Sequence, residues 1–324
     1  MNHEPAHPLQ AAAPRVLDPA KFRDPVHTAK GEVRAQVALK ALEVLWVNTG
    51  TLCNLACTTC YIESSPRNDR LDWFRTADLT ALLDEIETRG LPTRTIGFTG
   101  GEPMMNPDIL PMLDAVLSRG HEALVLTNAM TPLRHRRAGL LDLKARHGDR
   151  LTLRVSLDHH GRALHEAERG PNAWAPAIEG LVWLVRSGFR VTLATRLLGG
   201  EGEPALRAGF ARLFTDLGVA LDAGDPATLV VFPQMDEQVD VPEITEACWG
   251  ILGVAPDSPM CATSRMAVRR KGADAAAILA CTLIAYDPAF ELGTTLSQAE
   301  MPVALNHPHC ARFCVLGGAS CAGA

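Results

Sequence analysis

Three features are missing from the sequence, and each absence excludes a class of protein. No apolar run reaches the roughly 18 residues that a membrane span needs, and the opening residues lack the basic start and the apolar centre of a signal peptide. Basic residues are not in excess, because 31 Lys and Arg stand against 37 Asp and Glu, which gives a net charge of -6. We therefore expect a cytoplasmic protein with no membrane and no nucleic acid among its partners.

Cysteine is absent from residues 61–247, although the chain has nine cysteines. Three lie in one short segment, at Cys53, Cys57 and Cys60. The other six lie in the last quarter of the chain, at Cys248, Cys261, Cys281, Cys310, Cys314 and Cys321. Because a reducing compartment disfavours structural disulfides, we interpret both clusters as metal-binding or redox sites.

The remaining composition, 47% apolar and 21% charged, is typical of a globular protein with one large or two modest domains. It excludes disorder, collagen and coiled coil. From residue 43 onward, short β-branched runs alternate with longer segments of helical spacing. The predicted strands are 43–49, 93–99, 122–127, 151–158, 190–197 and 228–233. The predicted helices between them are 76–90, 106–120, 133–148, 173–188 and 203–218.

Strands that are joined by helical crossovers pair in parallel, through right-handed connections that cover both faces of the sheet. The repetition predicts an α/β fold, a partial (βα)6 TIM-like barrel whose chemistry gathers at the C-terminal ends of the strands. The alternation stops near residue 240, and the residues beyond it are rich in turn formers and cysteine. We expect an N-terminal arm over 1–42, the barrel over 43–240, and a small cysteine-rich domain held together by metal over 241–324.

The three N-terminal cysteines directly follow the first predicted strand, with three residues between the first two and two residues between the last two. A structural zinc ion usually takes four ligands, whereas a cubane iron–sulfur cluster on three thiolates keeps one iron open for another ligand. The spacing favours an iron–sulfur site. It leaves zinc, or cysteines that are merely buried, as alternatives.

A second motif lies about 40 residues further on, at the end of the second predicted strand, where the sequence reads FTGGEP (98–103). Together with TLCNLACTTCY, it resembles the radical S-adenosylmethionine (radical SAM) enzymes over about residues 43–235. The resemblance implies that Cys53, Cys57 and Cys60 hold a [4Fe-4S] cluster whose fourth iron binds S-adenosylmethionine. It also implies reductive cleavage of that cosubstrate, with electrons from a donor such as flavodoxin or ferredoxin.

The resemblance also indicates which other residues contact the cosubstrate. Gly100 and Gly101 have no Cβ, so the backbone can approach the methionine moiety closely, and Glu102 can accept hydrogen bonds from its amino group. Asn128, Ser156 and Arg196 lie at the ends of the third, fourth and fifth predicted strands. The last two would suit the ribose and the carboxylate of the cosubstrate.

Two positions nearby are less typical. The family usually has an aromatic residue just before the third cysteine, on the adenine side of the cosubstrate, and this chain has Thr59 there. At and after the end of the fourth predicted strand lie Asp158, His159 and His160, which could face the substrate, although we interpret the histidine pair as a solvated turn.

The cysteine-rich tail resembles the auxiliary-cluster domains called SPASM or twitch, although it has fewer cysteines than a full SPASM tail. The resemblance implies one further [4Fe-4S] cluster on four thiolates. The expected ligands are Cys261, Cys281, Cys310 and Cys314, with Cys321 as the substitute for one of the last two, while Cys248 lies outside the set. A structural zinc site and free thiols are the alternatives.

These features together predict a radical SAM oxidoreductase. A cluster with four protein ligands cannot bind a substrate through iron, so we expect the second cluster to accept an electron from the substrate radical, giving net oxidation. The substrate is a peptide or a small molecule, and the sequence does not choose between them. An iron–sulfur electron carrier that does not turn over S-adenosylmethionine, and a zinc-binding structural protein, are the alternative functions.

Overall fold

The computed structural model describes residues 16–233 and 236–318. Its strands are β1 (Gln36–Val37), β2 (Val44–Asn48), β3 (Thr95–Thr99), β4 (Glu122–Thr127), β5 (Leu151–Ser156), β6 (Arg190–Arg196), β7 (Leu229–Phe232), β8 (Ser264–Val268), β9 (Ala277–Leu279), β10 (Glu291–Gly293) and β11 (Val303–Ala304). Its α-helices are α1 (Thr76–Arg89), α2 (Ile109–Ser118), α3 (Thr131–His147), α4 (Arg162–Arg169), α5 (Trp174–Arg186), α6 (Glu203–Leu217) and α7 (Ala247–Leu252).

Strands β2 to β7 lie side by side in chain order, and every neighbouring pair is parallel. A helical crossover joins each strand to the next. This arrangement confirms the predicted α/β fold and the partial (βα)6 barrel. All six predicted strands and all five predicted helices are present, with ends shifted by a few residues. The crossover between β5 and β6 contains one helix that was not predicted, α4.

The first crossover helix shows how the sequence determines these elements. Leu79, Leu82, Leu83 and Ile86 of α1 follow the helical period, and all four are buried against the sheet. Gly90 ends the helix in the left-handed conformation, at a φ of 60°, and its N–H returns to carbonyls of the last turn. Such caps and apolar stripes fix where each crossover begins and ends.

The cysteine-rich tail extends the barrel's own sheet. Strand β8 pairs in parallel with β2, and β9 and β10 follow it as antiparallel strands, which makes a nine-stranded sheet. Met266, Val268 and Leu279 of these strands are fully buried. The tail therefore buries a core of its own, and the sheet runs across the boundary placed at residue 240.

The described part of the N-terminal arm lies against the tail. Val16 bridges to Val239, and Lys21 Nζ lies 2.6 Å from Asp240 Oδ1. Strand β1 pairs with β11 in a separate two-stranded sheet. Parts of the predicted N-terminal arm thus contact the tail, and residues 1–15 lie outside the described residues. No helix among the described residues is long and apolar enough to cross a bilayer.

Candidate functional site

The cysteine loop and the glycine-rich loop meet at the C-terminal end of the barrel strands. The loop after β2 is held to the loop after β3 by two backbone hydrogen bonds, from Gly101 N to Gly50 O at 2.8 Å and from Glu102 N to Leu52 O at 3.2 Å. A cavity of about 180 Å³ opens beside them. It is lined by every barrel residue predicted from the sequence, namely Cys53, Cys57, Cys60, Gly100, Gly101, Glu102, Asn128, Ser156 and Arg196.

The two glycines are required by the cysteine loop itself. A Cβ on Gly101 would lie 2.1 Å from Leu52 O, and one on Gly100 would lie 2.6 Å from Gly50 O. Gly100 also has a φ of +124°, which side chains rarely adopt. From the sequence we expected these glycines to let the backbone approach a ligand closely. The structure shows a close approach between two backbone segments, which fixes the loop that carries the thiols.

Glu102 is buried and already serves as an anchor. Its Oε1 accepts hydrogen bonds from Thr127 Oγ1 at 2.7 Å and Met104 N at 3.1 Å, and its Oε2 accepts one from Asn128 N at 2.8 Å. Burial raises the pKa of Glu102, although these donors oppose the shift. A carboxylate has about four acceptor positions. Three of them are used here, so one position on Oε2 remains for a further donor.

The three thiols combine burial with hydrogen-bond donors. Burial raises the pKa of Cys53 to about 12 and also raises the pKa of Cys57. Leu55 N lies 3.4 Å from the Sγ of Cys53, and Ser64 N lies 3.3 Å from the Sγ of Cys60. N–H groups directed at sulfur are typical of iron–sulfur sites, where they tune the cluster. The donor set therefore fits three ligands of such a cluster.

Two arginines and one aspartate form the opposite wall of the cavity. Arg169 Nε and Arg196 Nε donate to Asp158 Oδ2 at 2.7 Å and Oδ1 at 3.1 Å. Burial acts to raise the pKa of Asp158, but the two guanidiniums outweigh it and hold that pKa well below its usual range. Arg196 also donates to Thr59 Oγ1 and lies 3.5 Å from Glu168 Oε2, which ties the cysteine loop to α4.

Arg169 is the site residue that the sequence analysis missed. It is the last residue of α4, its side chain is 13% exposed, and it lines the cavity. The positive charges of Arg169 and Arg196 both act to lower the pKa of Cys57, and Arg169 has the larger effect. The thiolates of Cys57 and Cys53 in turn act to raise the pKa of Arg169. A basic residue closing a short helix after the fourth barrel strand was the available signal.

The described site can be compared with known proteins. A family model described as the Radical SAM superfamily matches residues 47–207, which include both loops and Arg169. The chain belongs to the radical SAM superfamily. A [4Fe-4S] cluster and S-adenosylmethionine are the cofactors that this family implies.

Two curated radical SAM relatives match parts of the chain. An AdoMet-dependent heme synthase from Nitratidesulfovibrio vulgaris is 30% identical over 146 residues, which are 44% of this chain and 37% of that protein. The antilisterial bacteriocin subtilosin biosynthesis protein AlbA from Bacillus subtilis is 30% identical over 118 residues, or 36% of this chain and 25% of that protein. The chain thus spans well under half the length of these relatives.

Solved structures share the fold at low identity. SuiB from Streptococcus suis, solved with S-adenosylmethionine, superposes with a TM-score of 0.56 at 13% identity, over 78% of this chain and 63% of that one. SuiB has also been solved with its precursor peptide SuiA, and that structure gives a TM-score of 0.54 at 14% identity, over 76% of this chain and 61% of that one. Native anSMEcpe with bound AdoMet gives a TM-score of 0.56 at 12% identity, over 81% of both chains.

The histidine pair beside the radical SAM site is not a solvated turn. His159 is buried, and its Nε2 lies 2.5 Å from Glu201 Oε1. Gly161 N donates to His159 Nδ1 at 2.8 Å, so in the neutral ring Nε2 carries the proton and donates to the carboxylate. A metal-binding histidine would instead donate through its other nitrogen. The pair therefore anchors the loop that carries Glu201.

The radical SAM chain gathers a second set of thiols in its tail. Cys261, Cys281, Cys310 and Cys314 line one small cavity of about 10 Å³, whose other walls include Leu283, Phe290, Val303 and Leu305. A π-helical segment, Cys310–Val315, carries two of the four thiols. Burial raises the pKa of Cys261 to about 12 and also raises the pKa of Cys310 well above its ordinary value.

The remaining tail cysteines differ in position. Cys248 does not line the four-thiol cavity, and its Sγ accepts a hydrogen bond from Thr245 N at 3.4 Å. Cys321, the predicted substitute ligand, lies outside the described residues. The four thiols that the sequence analysis preferred are therefore the ones gathered in the described part of the tail.

Proposed function

We propose that the protein is an oxidoreductase that cleaves S-adenosylmethionine reductively at the three-thiol loop and oxidises its substrate with the help of a second cluster. One observation carries the proposal. Residues from the ends of β2, β3, β4, β5 and β6, all named from two short motifs and their strand order, line a single cavity. A zinc site that is merely structural would have no use for an open, charged space beside three thiols.

Cys53, Cys57 and Cys60 would hold the first cluster. Each polar group around it would bind a different part of the cosubstrate. The unused acceptor position on Glu102 Oε2 suits an ammonium group, because an ammonium donates and never accepts. Arg169 is the buried cation beside the thiols and suits the carboxylate. Asn128 and Ser156 line the wall between them and suit the ribose hydroxyls.

When bound, the cluster and S-adenosylmethionine supply a one-electron cleavage that yields methionine and a 5′-deoxyadenosyl radical able to abstract hydrogen from substrate. The chain's own contribution is to orient and to exclude water. The Asp158 carboxylate keeps Arg169 and Arg196 fixed, and Arg196 fixes Thr59 in the cysteine loop. Tyr61 and Phe232 add apolar walls to the same cavity.

The second cluster would be held by Cys261, Cys281, Cys310 and Cys314. Four thiols that line one apolar cavity fit a closed cluster, which exchanges electrons without binding substrate. Phe232 connects the two sites, because it lines the first cavity and its ring centroid lies 5.6 Å from that of Phe313, within the segment that carries Cys310 and Cys314. This proximity supports electron transfer from the substrate radical, with net oxidation.

We propose a peptide or a small molecule as the substrate, and a flavodoxin or ferredoxin as the electron donor in the cytoplasm. The name of AlbA, a bacteriocin biosynthesis protein, and the precursor peptide bound to SuiB support the peptide. An oxygen-sensitive cluster and clustered reduced thiols both require a reducing compartment.

Anaerobic reconstitution with iron and sulfide tests the proposal. The wild type should hold about eight irons per chain, in two cubane clusters, and should form 5′-deoxyadenosine when dithionite and S-adenosylmethionine are added. The variant Cys53→Ala, Cys57→Ala, Cys60→Ala should hold about four irons and form none. Cys248→Ala is the matched control, and it should behave as the wild type does.

The outcomes separate the alternatives. Eight irons in the triple variant would falsify the ligand assignment. Iron without 5′-deoxyadenosine in the wild type would indicate an electron carrier, and bound zinc without iron would indicate a structural metal protein.

A further inference from the structure

Arg265 is a fully buried cation in the tail, and its hydrogen bonds go to neutral acceptors. It lies on β8 and is 1% exposed. Its guanidinium donates to the backbone carbonyls of Ala299 at 2.7 Å, Ser264 at 2.8 Å and Met301 at 3.3 Å. It also donates to the carbonyl of Cys261, one of the four gathered cysteines. These four bonds use four of the five N–H donors, and none of the four acceptors carries a negative charge.

Three other arginines that are buried or nearly buried pair with carboxylates. Arg34 lies 2.5 Å from Glu243, Arg269 lies 2.9 Å from Asp78, and Arg169 lies 2.7 Å from Asp158. No carboxylate within residues 16–233 and 236–318 forms an ion pair with Arg265. A buried charge without a counter-charge is strongly destabilising. An anion near Arg265 would therefore stabilise the fold, and it would have to come from a group other than a carboxylate.

The four-thiol site is the candidate for that anion, because the guanidinium of Arg265 donates to the carbonyl of Cys261 itself. Burial lowers the pKa of Arg265. The thiolate forms of Cys261 and Cys281 oppose this shift, because a nearby negative charge stabilises the guanidinium cation. In return its charge acts to lower the pKa of Cys261, although burial outweighs it. Neutral thiols would leave Arg265 unpaired. Four thiolates outweigh the positive charge of the metal that they bind, so a loaded site is a net anion.

We propose that Arg265 is the buried counter-charge of an anionic four-thiolate metal centre at Cys261, Cys281, Cys310 and Cys314, and that it raises the reduction potential of that centre. The proposal rests on the second cluster of the proposed function. Reduction adds one negative charge, and a fixed cation in a low-dielectric interior stabilises the reduced form more than the oxidised one. Arg265 would thus help the cluster to accept an electron from the substrate radical.

Redox titration of the reconstituted protein, followed by electron paramagnetic resonance, tests this role with two variants. Arg265→Gln removes the charge but keeps amide donors for the carbonyls, and Arg265→Lys keeps the charge. The potential of the second cluster should shift to more negative values in Arg265→Gln and stay near the wild-type value in Arg265→Lys. The potential of the first cluster should not change in either variant.

Arg154→Gln is the matched control, because Arg154 is also buried but lies on β5 and donates to Thr192 Oγ1 at 3.2 Å. It should leave the second potential unchanged. An Arg265→Gln protein with full iron and the wild-type potential would overturn the proposal.

A stability measurement keeps the proposal testable if Arg265→Gln does not fold alone. In a background where all four tail cysteines are Ala, the cation has no counter-charge, so adding Arg265→Gln should raise the thermal midpoint. A lower midpoint would contradict the proposal. If the four thiols bind zinc, the cluster assignment fails separately, and metal loading should still raise the midpoint more in the wild type than in Arg265→Gln. If they bind no metal, both proposals fail.

Discussion

The two thiol sites of this protein differ in the space and the charge around them. The three-thiol site opens on a cavity of about 180 Å³ with Glu102, Asp158 and Arg169 in its walls. The four-thiol site encloses about 10 Å³ between mostly apolar side chains and His309. The first has room and several charged groups for a ligand, whereas the second has little room and, among its described residues, only one polar side chain besides its thiols. The number of thiols and the surrounding space together support the proposal that the first site binds a cosubstrate and the second only passes electrons.

The sites also differ in what depends on them. Cys261 and Cys310 belong to a hydrophobic cluster that joins the arm, through Val37, to Ile244 and Phe313 of the tail. The loop that carries Cys57 and Cys60 is held by hydrogen bonds of Thr58 and Thr59 to Glu168 and Arg196. We therefore expect loss of the open site to abolish chemistry and loss of the closed site to reduce stability.

The largest effect should come from removing the ligands of each site in turn. The triple variant of Cys53, Cys57 and Cys60 should lose 5′-deoxyadenosine formation by more than about 1,000-fold, because no step replaces reductive cleavage. Cys261→Ala with Cys310→Ala should instead lower the thermal midpoint by about 10 °C, because metal binding contributes folding free energy. Product assays and calorimetry on the reconstituted proteins measure both. Equal losses of stability in the two variants would abolish the contrast.

A smaller effect is expected from the buried cations, which are paired differently in the two sites. Arg169→Gln should lower kcat/KM for S-adenosylmethionine about 100-fold. The variant lacks the cation that we propose for the carboxylate of the cosubstrate, and it leaves Asp158 paired with Arg196 alone. Arg162→Gln, on the exposed face of the same helix, should have no such effect. Steady-state kinetics of 5′-deoxyadenosine formation measure both. Unchanged kinetics in Arg169→Gln would contradict the role of Arg169 and favour Arg196 as the residue that binds the carboxylate of the cosubstrate.

The open site should also depend on the packing of its glycines. Gly101→Ala would drive a Cβ against Leu52 O and displace the cysteine loop, so we expect a loss of about 1–3 kcal/mol in the free energy of unfolding. Gly250→Ala is the control, because a Cβ there meets nothing within 4 Å. Urea unfolding and iron content measure the two effects. A Gly101→Ala protein with full stability and full iron would contradict the loop packing.

Much of the open site could be predicted because it depends on local patterns. Each barrel strand has its own periodicity, and parallel strands bring their C-terminal ends to one edge, so Ser156 and Arg196 could be placed near Cys53 without a structure. Arg169 was missed because α4 is short and buries one residue, His165, which gives no apolar stripe. Its pairing with Asp158 appears only after the chain has folded.

The closed site was predicted less completely, because it depends on contacts between distant segments. The thiols could be chosen by spacing, but the pairing of β8 with β2 joins residues more than 200 positions apart, and no local period reveals it. Arg265 shows the same limit. Its sequence context is that of any strand arginine, and only the fold reveals that carbonyls rather than carboxylates surround it.

The smallest predicted effect concerns acid and the wall of the open site. His165 lies one turn before Arg169 on α4, is fully buried, and its ring nitrogens have no hydrogen-bond partner among the described residues. Burial lowers its pKa to about 4 from an ordinary 6.5. Between pH 6.5 and pH 4, His165 is therefore protonated in the unfolded chain but neutral in the folded one. The free energy of unfolding falls as the pH drops through this range. The loss between pH 7 and pH 5 should be about 2 kcal/mol, measured by urea unfolding of the metal-free protein.

Two histidine variants test whether His165 causes this loss. His165→Leu should lose less over the same interval, and His135→Gln, on the exposed face of α3, should lose as much as the wild type. If His165→Leu lost as much stability as the wild type between pH 7 and pH 5, the buried imidazole beside the open site would not be the cause of the acid sensitivity.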